Sequence, residues 1–159
     1  MRRILVGVDG SAHSATALRW ALDEARLTPG GTVTVVHAYR PPEARSYSAY
    51  SDAFMDPASR RRRTDEDQTR REEDELHVRQ AAERVLERMV GEVKTEEDRD
   101  EIKLVTVAQD PAKALVEMSR HADLLVVGSR GRGGFAGLLL GSVSQQCVRH
   151  ARCAVLVVR

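Results

Sequence analysis

The residues that could do chemistry gather in one late stretch of the chain. Gly128-Ser129-Arg130-Gly131 is followed, after nine intervening residues, by Gly141-Ser142-Val143-Ser144. A glycine has no Cβ, so an anion can approach its backbone N–H closely. A helix opening at Ser142 would add unpaired N–H groups and the positive end of its dipole. The hydroxyls of Ser142 and Ser144 offer further donors, and Arg130 and Arg132 bring charge. That chemistry is the recognition of phosphate. The stretch is not a Walker A loop, because no Gly-Lys-Ser/Thr follows its glycines. Nor is it the dinucleotide fingerprint, since Gly131-Arg132-Gly133 meets Ala136 at the third position. On spacing alone, a surface loop ending in a glycine helix cap is the competing reading.

Elements must hold these residues in place. The apolar run Leu124–Val127 leads into the glycines and reads as a buried parallel strand. A helical pattern runs from Ser142 to about His150. At the other end of the chain, Ile4–Val8 reads as a buried strand, and Asp9-Gly10-Ser11 as a turn with Ser11 a helix N-cap. Ala15, Leu18, Ala21, Leu22 and Ala25 then recur at helical spacing until Pro29-Gly30-Gly31 stops the helix. Thr32–Ala38 is β-branched and reads as the second strand of a right-handed βαβ unit. Ile102–Val107 reads as a third strand. Asp110-Pro111 starts a helix to about Arg120 that buries Ala114, Leu115 and Met118. Ala154–Val158 is a fifth strand. Strands alternating with helices predict one α/β domain over residues 1–159, an open parallel sheet with helices on both faces.

Between strands two and three the pattern changes. Residues 39–65 read as a long surface loop, placed to lie over a site at the strand ends. A helix is expected from about Thr64 to Gly91, with Leu76, Ala82, Val85, Leu86 and Met89 as its buried stripe and a charged, solvated first half. The run Arg60–Arg63 is followed at once by acidic residues that cancel its field, so no nucleic-acid partner is expected.

Composition narrows the classes further. The net charge is +1 and hydrophobic residues are 42% of the 159, which implies no pull toward nucleic acid or membrane. No apolar run is long enough to span a bilayer. Cys147 and Cys153 lack CxxC spacing, which favours a reduced, cytoplasmic protein. Cys147 reads as a small core residue and His37 as a packed strand residue. His13 and His150 lack the spacing of a metal pair, and Tyr47 and Tyr50 read as solvated loop residues.

The spacing Gly128-x2-Gly131-x9-Gly141-Ser142 resembles the nucleotide-binding motif of the universal stress protein family, in its ATP-binding branch. Ile4-Leu5-Val6-Gly7-Val8-Asp9-Gly10-Ser11 is similar to that family's first strand and turn, and Ala154–Val158 to its last strand. The resemblance covers essentially the whole chain. It implies a Rossmann-like sheet of the adenine nucleotide alpha hydrolase type, in the order 3-2-1-4-5. Ligands bind beyond the carboxyl ends of such strands, where the order reverses. Asp9 and Gly128 would then face one crevice.

By the same resemblance, Asp9 would hold the ribose, and Gly7, Ala38 and Val127 would border the adenine. Gly128, Arg130 and Gly131 would meet the phosphates, with Gly141, Ser142, Val143 and Ser144 on the outer ones. ATP is the implied ligand, with Mg²⁺ or Mn²⁺ held mainly by its phosphates. A homodimer through Ala154–Val158 is also implied. Two alternatives stay open. One is slow ATP hydrolysis or autophosphorylation on Ser142 or Ser144, for which no general base or Walker lysine is evident. The other is a nucleotide-free interaction protein of the same fold.

Overall fold

The computed structural model describes residues 2–41, 57–95, 102–132 and 139–159. The chain divides into two compact units. One comprises Met1–Arg40 with Ala82–Arg159, and the other Pro41–Ala81.

The first unit is built on a five-stranded parallel sheet. In chain order its elements are β1 (Arg3–Gly7), α1 (Ala12–Leu27), β2 (Thr32–Tyr39), the C-terminal part of α2 (Pro57–Val93), β3 (Ile102–Ala108), α3 (Pro111–Met118), β4 (Leu124–Gly128), α4 (Ser142–His150) and β5 (Ala154–Val158). A 3₁₀ turn, Ser119–His121, extends α3 to about where the sequence ends that helix. The strands lie in the order β3-β2-β1-β4-β5, the α/β arrangement that the family resemblance implies. β1 is central, with Gly7 opposite Val36 on one side and Val127 on the other. All the carboxyl ends therefore meet along one edge, and the order reverses between β1 and β4.

Alternation along the strands sends side chains to two cores. Ile4, Val6, Val33, Val35, Leu124 and Val126 pack against α1 and the end of α2. Leu5, Val36, Leu125 and Val127 pack the opposite way with Leu115 of α3 and Cys147 of α4. Leu18 of α1 is wholly buried, and truncating such a leucine costs about 2–5 kcal/mol. At the amino edge, Arg3 pairs with Asp123 at 2.9 Å. That guanidinium holds the Asp123 carboxyl down at about 2.

α2 departs from the sequence expectation. It begins at Pro57 rather than near Thr64, so residues 57–65 of the expected loop are helical. The remainder of that expected loop, residues 42–56, lies outside the described residues. Proline suits a first helical turn, where its missing N–H is no loss. Ala82, Leu86 and Met89 are buried and Val85 is partly so, but Leu76 is 48% exposed and is not part of the stripe. In the second unit, Asp65–Ala81 of the helix is almost entirely exposed, as its charge requires.

Candidate functional site

At the turn after β1, Gly10 adopts φ +85°, the left-handed region that glycine enters at no steric cost. Ser11 then caps α1, its Oγ accepting from the Ser14 N–H at 3.3 Å. Asp9 is thus not the N-cap itself. Its Oδ1 accepts from the Ser11 N–H and its Oδ2 from the Arg132 N–H, both at 3.0 Å. Burial pushes the Asp9 pKa up. Hydrogen bonds from Ser11, from Ser14 and from the Arg132 N–H outweigh that, leaving the carboxyl below its ordinary value. An ionised carboxylate accepts at about four sites, and the two backbone N–H groups fill two of them.

The link from Asp9 to Arg132 crosses 123 positions of sequence and ties the first turn to the glycine segment. Two of that segment's glycines are required by close approach. A Cβ on Gly128 would lie 2.8 Å from the His13 carbonyl carbon, and one on Gly131 would collide with the Asp9 carboxylate. Gly141 differs. Its φ of −74° is ordinary, and a Cβ there would sit 3.5 Å from its nearest neighbour.

Gly141 is held by its N–H, which donates to the Ser129 carbonyl at 2.7 Å. It is the N-cap of α4, whose first internal bond runs from Gln145 N–H to the Gly141 carbonyl at 2.9 Å. The N–H groups of Ser142, Val143 and Ser144 precede that bond and fall outside the helix ladder. The Ser144 hydroxyl, however, turns inward. It is buried and faces the carbonyls of Ser129 at 3.0 Å and Gly141 at 2.9 Å. Of the two serines expected to present hydroxyls, only Ser142 is exposed.

These parts enclose a cleft of about 400 Å³ at the carboxyl edge of the sheet. Gly7, Asp9, Ala38, Val127, Gly128, Arg130, Gly131, Gly141, Ser142, Val143 and Ser144 all line it. Every site residue proposed from the sequence therefore borders one space. Other residues join them. Pro111 and Leu115 come from α3, whose start the sequence marks but whose direction it does not. His37 also lines the cleft, with Nδ1 2.7 Å from the Val8 carbonyl oxygen. A carbonyl only accepts, so Nδ1 carries a proton and donates it. Arg132, expected to bring charge, has an exposed side chain, and it is its N–H that completes the bridge to Asp9.

Among the described residues, Asp9 is the only carboxylate lining the cleft. Among the described residues, no three His, Cys, Asp or Glu side chains converge to hold a metal ion. Nor is any described helix long and apolar enough to cross a membrane. Both cysteines are free thiols. Burial, with a smaller effect from Cys153, pushes the Cys147 thiol up to about 11.

Comparison with known proteins agrees with this geometry. The sequence model of the universal stress protein family matches residues 1–159. Universal stress protein Rv2623 of Mycobacterium tuberculosis (strain ATCC 25618 / H37Rv) is 35% identical over 156 residues, which cover 98% of this chain and 44% of that protein. The chain thus spans less than half the length of that relative. Among solved structures, a universal stress protein in complex with cAMP is similar at 25% identity and a TM-score of 0.58, covering 99% of this chain and 96% of that one. The universal stress protein from Archaeoglobus fulgidus in complex with dAMP shares the fold at 22% identity and a TM-score of 0.61, covering 100% and 98%.

Proposed function

The chain belongs to the universal stress protein family, and from that premise we propose that its cleft binds an adenine nucleotide, ATP in our reading. In this reading the protein is a cytoplasmic binding module whose surface or partner choice depends on nucleotide occupancy. The observation that carries it is the bridge from Asp9 to the Arg132 N–H, which sets a carboxylate opposite the open N–H groups of α4. Asp9 takes a ribose hydroxyl. Gly7, Ala38 and Val127 border the base. Gly128, Arg130 and Gly131 meet the inner phosphates, and Gly141 to Ser144 the outer ones.

Three N–H donors to charged phosphate oxygens, at about 1.5–3 kcal/mol each, are of the order needed for micromolar binding, near 8 kcal/mol. The ligands in the two related structures, cAMP and dAMP, belong to the same chemical class. A Mg²⁺ or Mn²⁺ ion enters on the nucleotide's phosphates, because Asp9 is the only carboxylate on the cleft wall among the described residues and its oxygens already accept two backbone bonds.

Thermal melting with and without millimolar ATP and Mg²⁺, with GTP as control, tests the reading. At a hundredfold excess over Kd the gain is about 2.7 kcal/mol, a Tm rise of roughly 5–10 °C. No rise with ATP, and no nucleotide carried through purification, would rule it out.

The same proposal includes a homodimer. β5 pairs with β4 and is the last strand in the sheet order. Its Val158 carbonyl accepts from the Ser129 N–H at 2.6 Å and so faces β4. By alternation, the N–H and C=O groups of Val155 and Val157 point away from β4, to the open edge. An open apolar edge is a template for a second strand. Val157→Pro deletes one outward donor, and light scattering should then report a monomer. A dimer of unchanged mass would move the interface elsewhere.

A further inference from the structure

A second groove, larger than the nucleotide cleft, opens beside it. Its volume is about 680 Å³, against about 400 Å³ for the cleft. It is lined by α3, α4 and the end of β2, and Ala38, Tyr39, Pro111, Ser142 and Val143 are common to both cavities. Ala112 and Val116 add to an apolar floor, and Tyr39 brings an aromatic ring.

The rim is basic. Among the described residues, Arg40 and Lys113 stand on it against a single carboxylate, Asp110. That carboxylate is already engaged. Oδ2 accepts from Arg40 Nη2 at 2.8 Å, and Oδ1 from the N–H groups of Ala112 and Lys113 at 3.1 and 3.3 Å.

An apolar floor with an aromatic ring suits a flat body such as a nucleobase. A rim with excess positive charge suits phosphates. Ser142, at the N-terminus of α4, belongs to both cavities, so a phosphate chain passing that helix end leads from one to the other. Arg40, Asp110, Ala112, Lys113 and Val116 line the groove and not the cleft. We propose that the groove receives the second nucleoside of a linear dinucleoside polyphosphate whose first adenosine occupies the cleft. This rests on the adenine-nucleotide reading of the cleft.

The test is calorimetric titration of the intact protein, at one fixed salt concentration, with ATP and with diadenosine tetraphosphate. The dinucleotide should bind at least tenfold more tightly, well beyond the twofold statistical gain of carrying two adenosines. Lys113→Glu should erase that advantage while leaving the ATP Kd within about twofold. Lys113 is exposed and is the third residue of α3, where a glutamate suits the helix dipole, so the variant should fold. Val116→Asp, on the groove floor, should erase the advantage as well. Equal affinities for the two ligands in the wild type would overturn the inference and leave the ATP reading standing. A tighter dinucleotide indifferent to both substitutions would place its second half elsewhere and overturn it too. Binding of neither ligand would sink the nucleotide reading and the inference together.

Discussion

The two ends of the glycine segment look alike in sequence but are glycines for different reasons. At Gly128 and Gly131 the protein's own atoms exclude a side chain, the backbone of His13 in one case and the Asp9 carboxylate in the other. At Gly141 no described residue beyond its chain neighbours stands closer than 3.5 Å to a would-be Cβ, and the backbone angle is ordinary. The first pair is needed to close the fold over the site. At Gly141 a Cβ would make only ordinary contacts, with Arg130 Cα, the Ser129 carbonyl oxygen and Gly131 N at 3.5, 3.6 and 3.7 Å, so the fold itself admits an alanine at the N-terminus of α4. A motif can therefore mix residues that folding requires with residues that only binding requires.

Substitution at each end should break the comparison in opposite ways, and the larger effect is at Gly128. Gly128→Ala forces a methyl against backbone that cannot rotate aside. Overpacking of this kind costs about 1–3 kcal/mol, and backbone contact favours the upper end, a fall of roughly 6–12 °C in Tm. Nucleotide binding should fall with it. A variant that melts like the wild type would mean that α1 shifts freely away from β4.

Gly141→Ala should leave the fold nearly intact. Alanine is a poorer N-cap than glycine, by about 1 kcal/mol or less, so Tm should move by no more than about 2–4 °C. The affinity for ATP should fall about tenfold, the equivalent of about 1.4 kcal/mol, because the methyl stands where phosphate approaches the helix end. Unchanged affinity in a calorimetric titration would show that the phosphates keep clear of Gly141.

The two serines of α4 sharpen the contrast further. Ser144→Ala removes a buried hydroxyl bonded to main-chain carbonyls and should cost about 1 kcal/mol of stability. The affinity for ATP should be little changed, because the Ser144 N–H remains. Ser142→Ala, at an exposed position, should do the reverse, lowering affinity severalfold with little change in Tm. If phosphate transfers to a serine of this helix at all, mass spectrometry should find it on Ser142 and not on Ser144.

How much of this was legible beforehand follows the same division between local and long-range causes. The strands were readable because a strand buried on both faces must be a short apolar run, as Ile4–Val6 and Leu124–Val127 are. Asp110-Pro111 was readable as a helix start because capping is local, and Asp110 indeed accepts from the Ala112 and Lys113 N–H groups. The early start of α2 was hidden, because an exposed charged helix carries no apolar period. The same blindness placed Leu76 in a stripe to which it does not belong. The inward turn of Ser144 was also hidden, since it depends on where the Ser129 carbonyl lies after folding. The strand order came from the resemblance, because no local pattern encodes which strands become neighbours. Pro111 and Leu115 were missed as cleft residues for that reason.

The smallest predicted effect concerns the acid limb of stability, and it bears on the Asp9 end of the bridge. The Asp9 carboxyl sits below its ordinary value of 3.8 in the folded protein. A depressed carboxyl contributes stability that is fully present above the unfolded pKa and is lost as pH falls through the folded one. The Asp9 contribution should therefore be constant at neutral pH and decline below about pH 4. Asp9→Asn removes this titration but keeps an oxygen that can accept from the Ser11 or Arg132 N–H. Its melting curve should run below the wild type at pH 7, and the gap should narrow as pH drops toward 3. Asp110 and Asp123 also have lowered pKa values, and they titrate in both proteins, so the difference between the two curves isolates Asp9. A gap that is independent of pH would mean that the carboxylate acts by shape alone. The charge on Asp9 would then matter to ligand recognition and not to holding the first turn against the glycine segment.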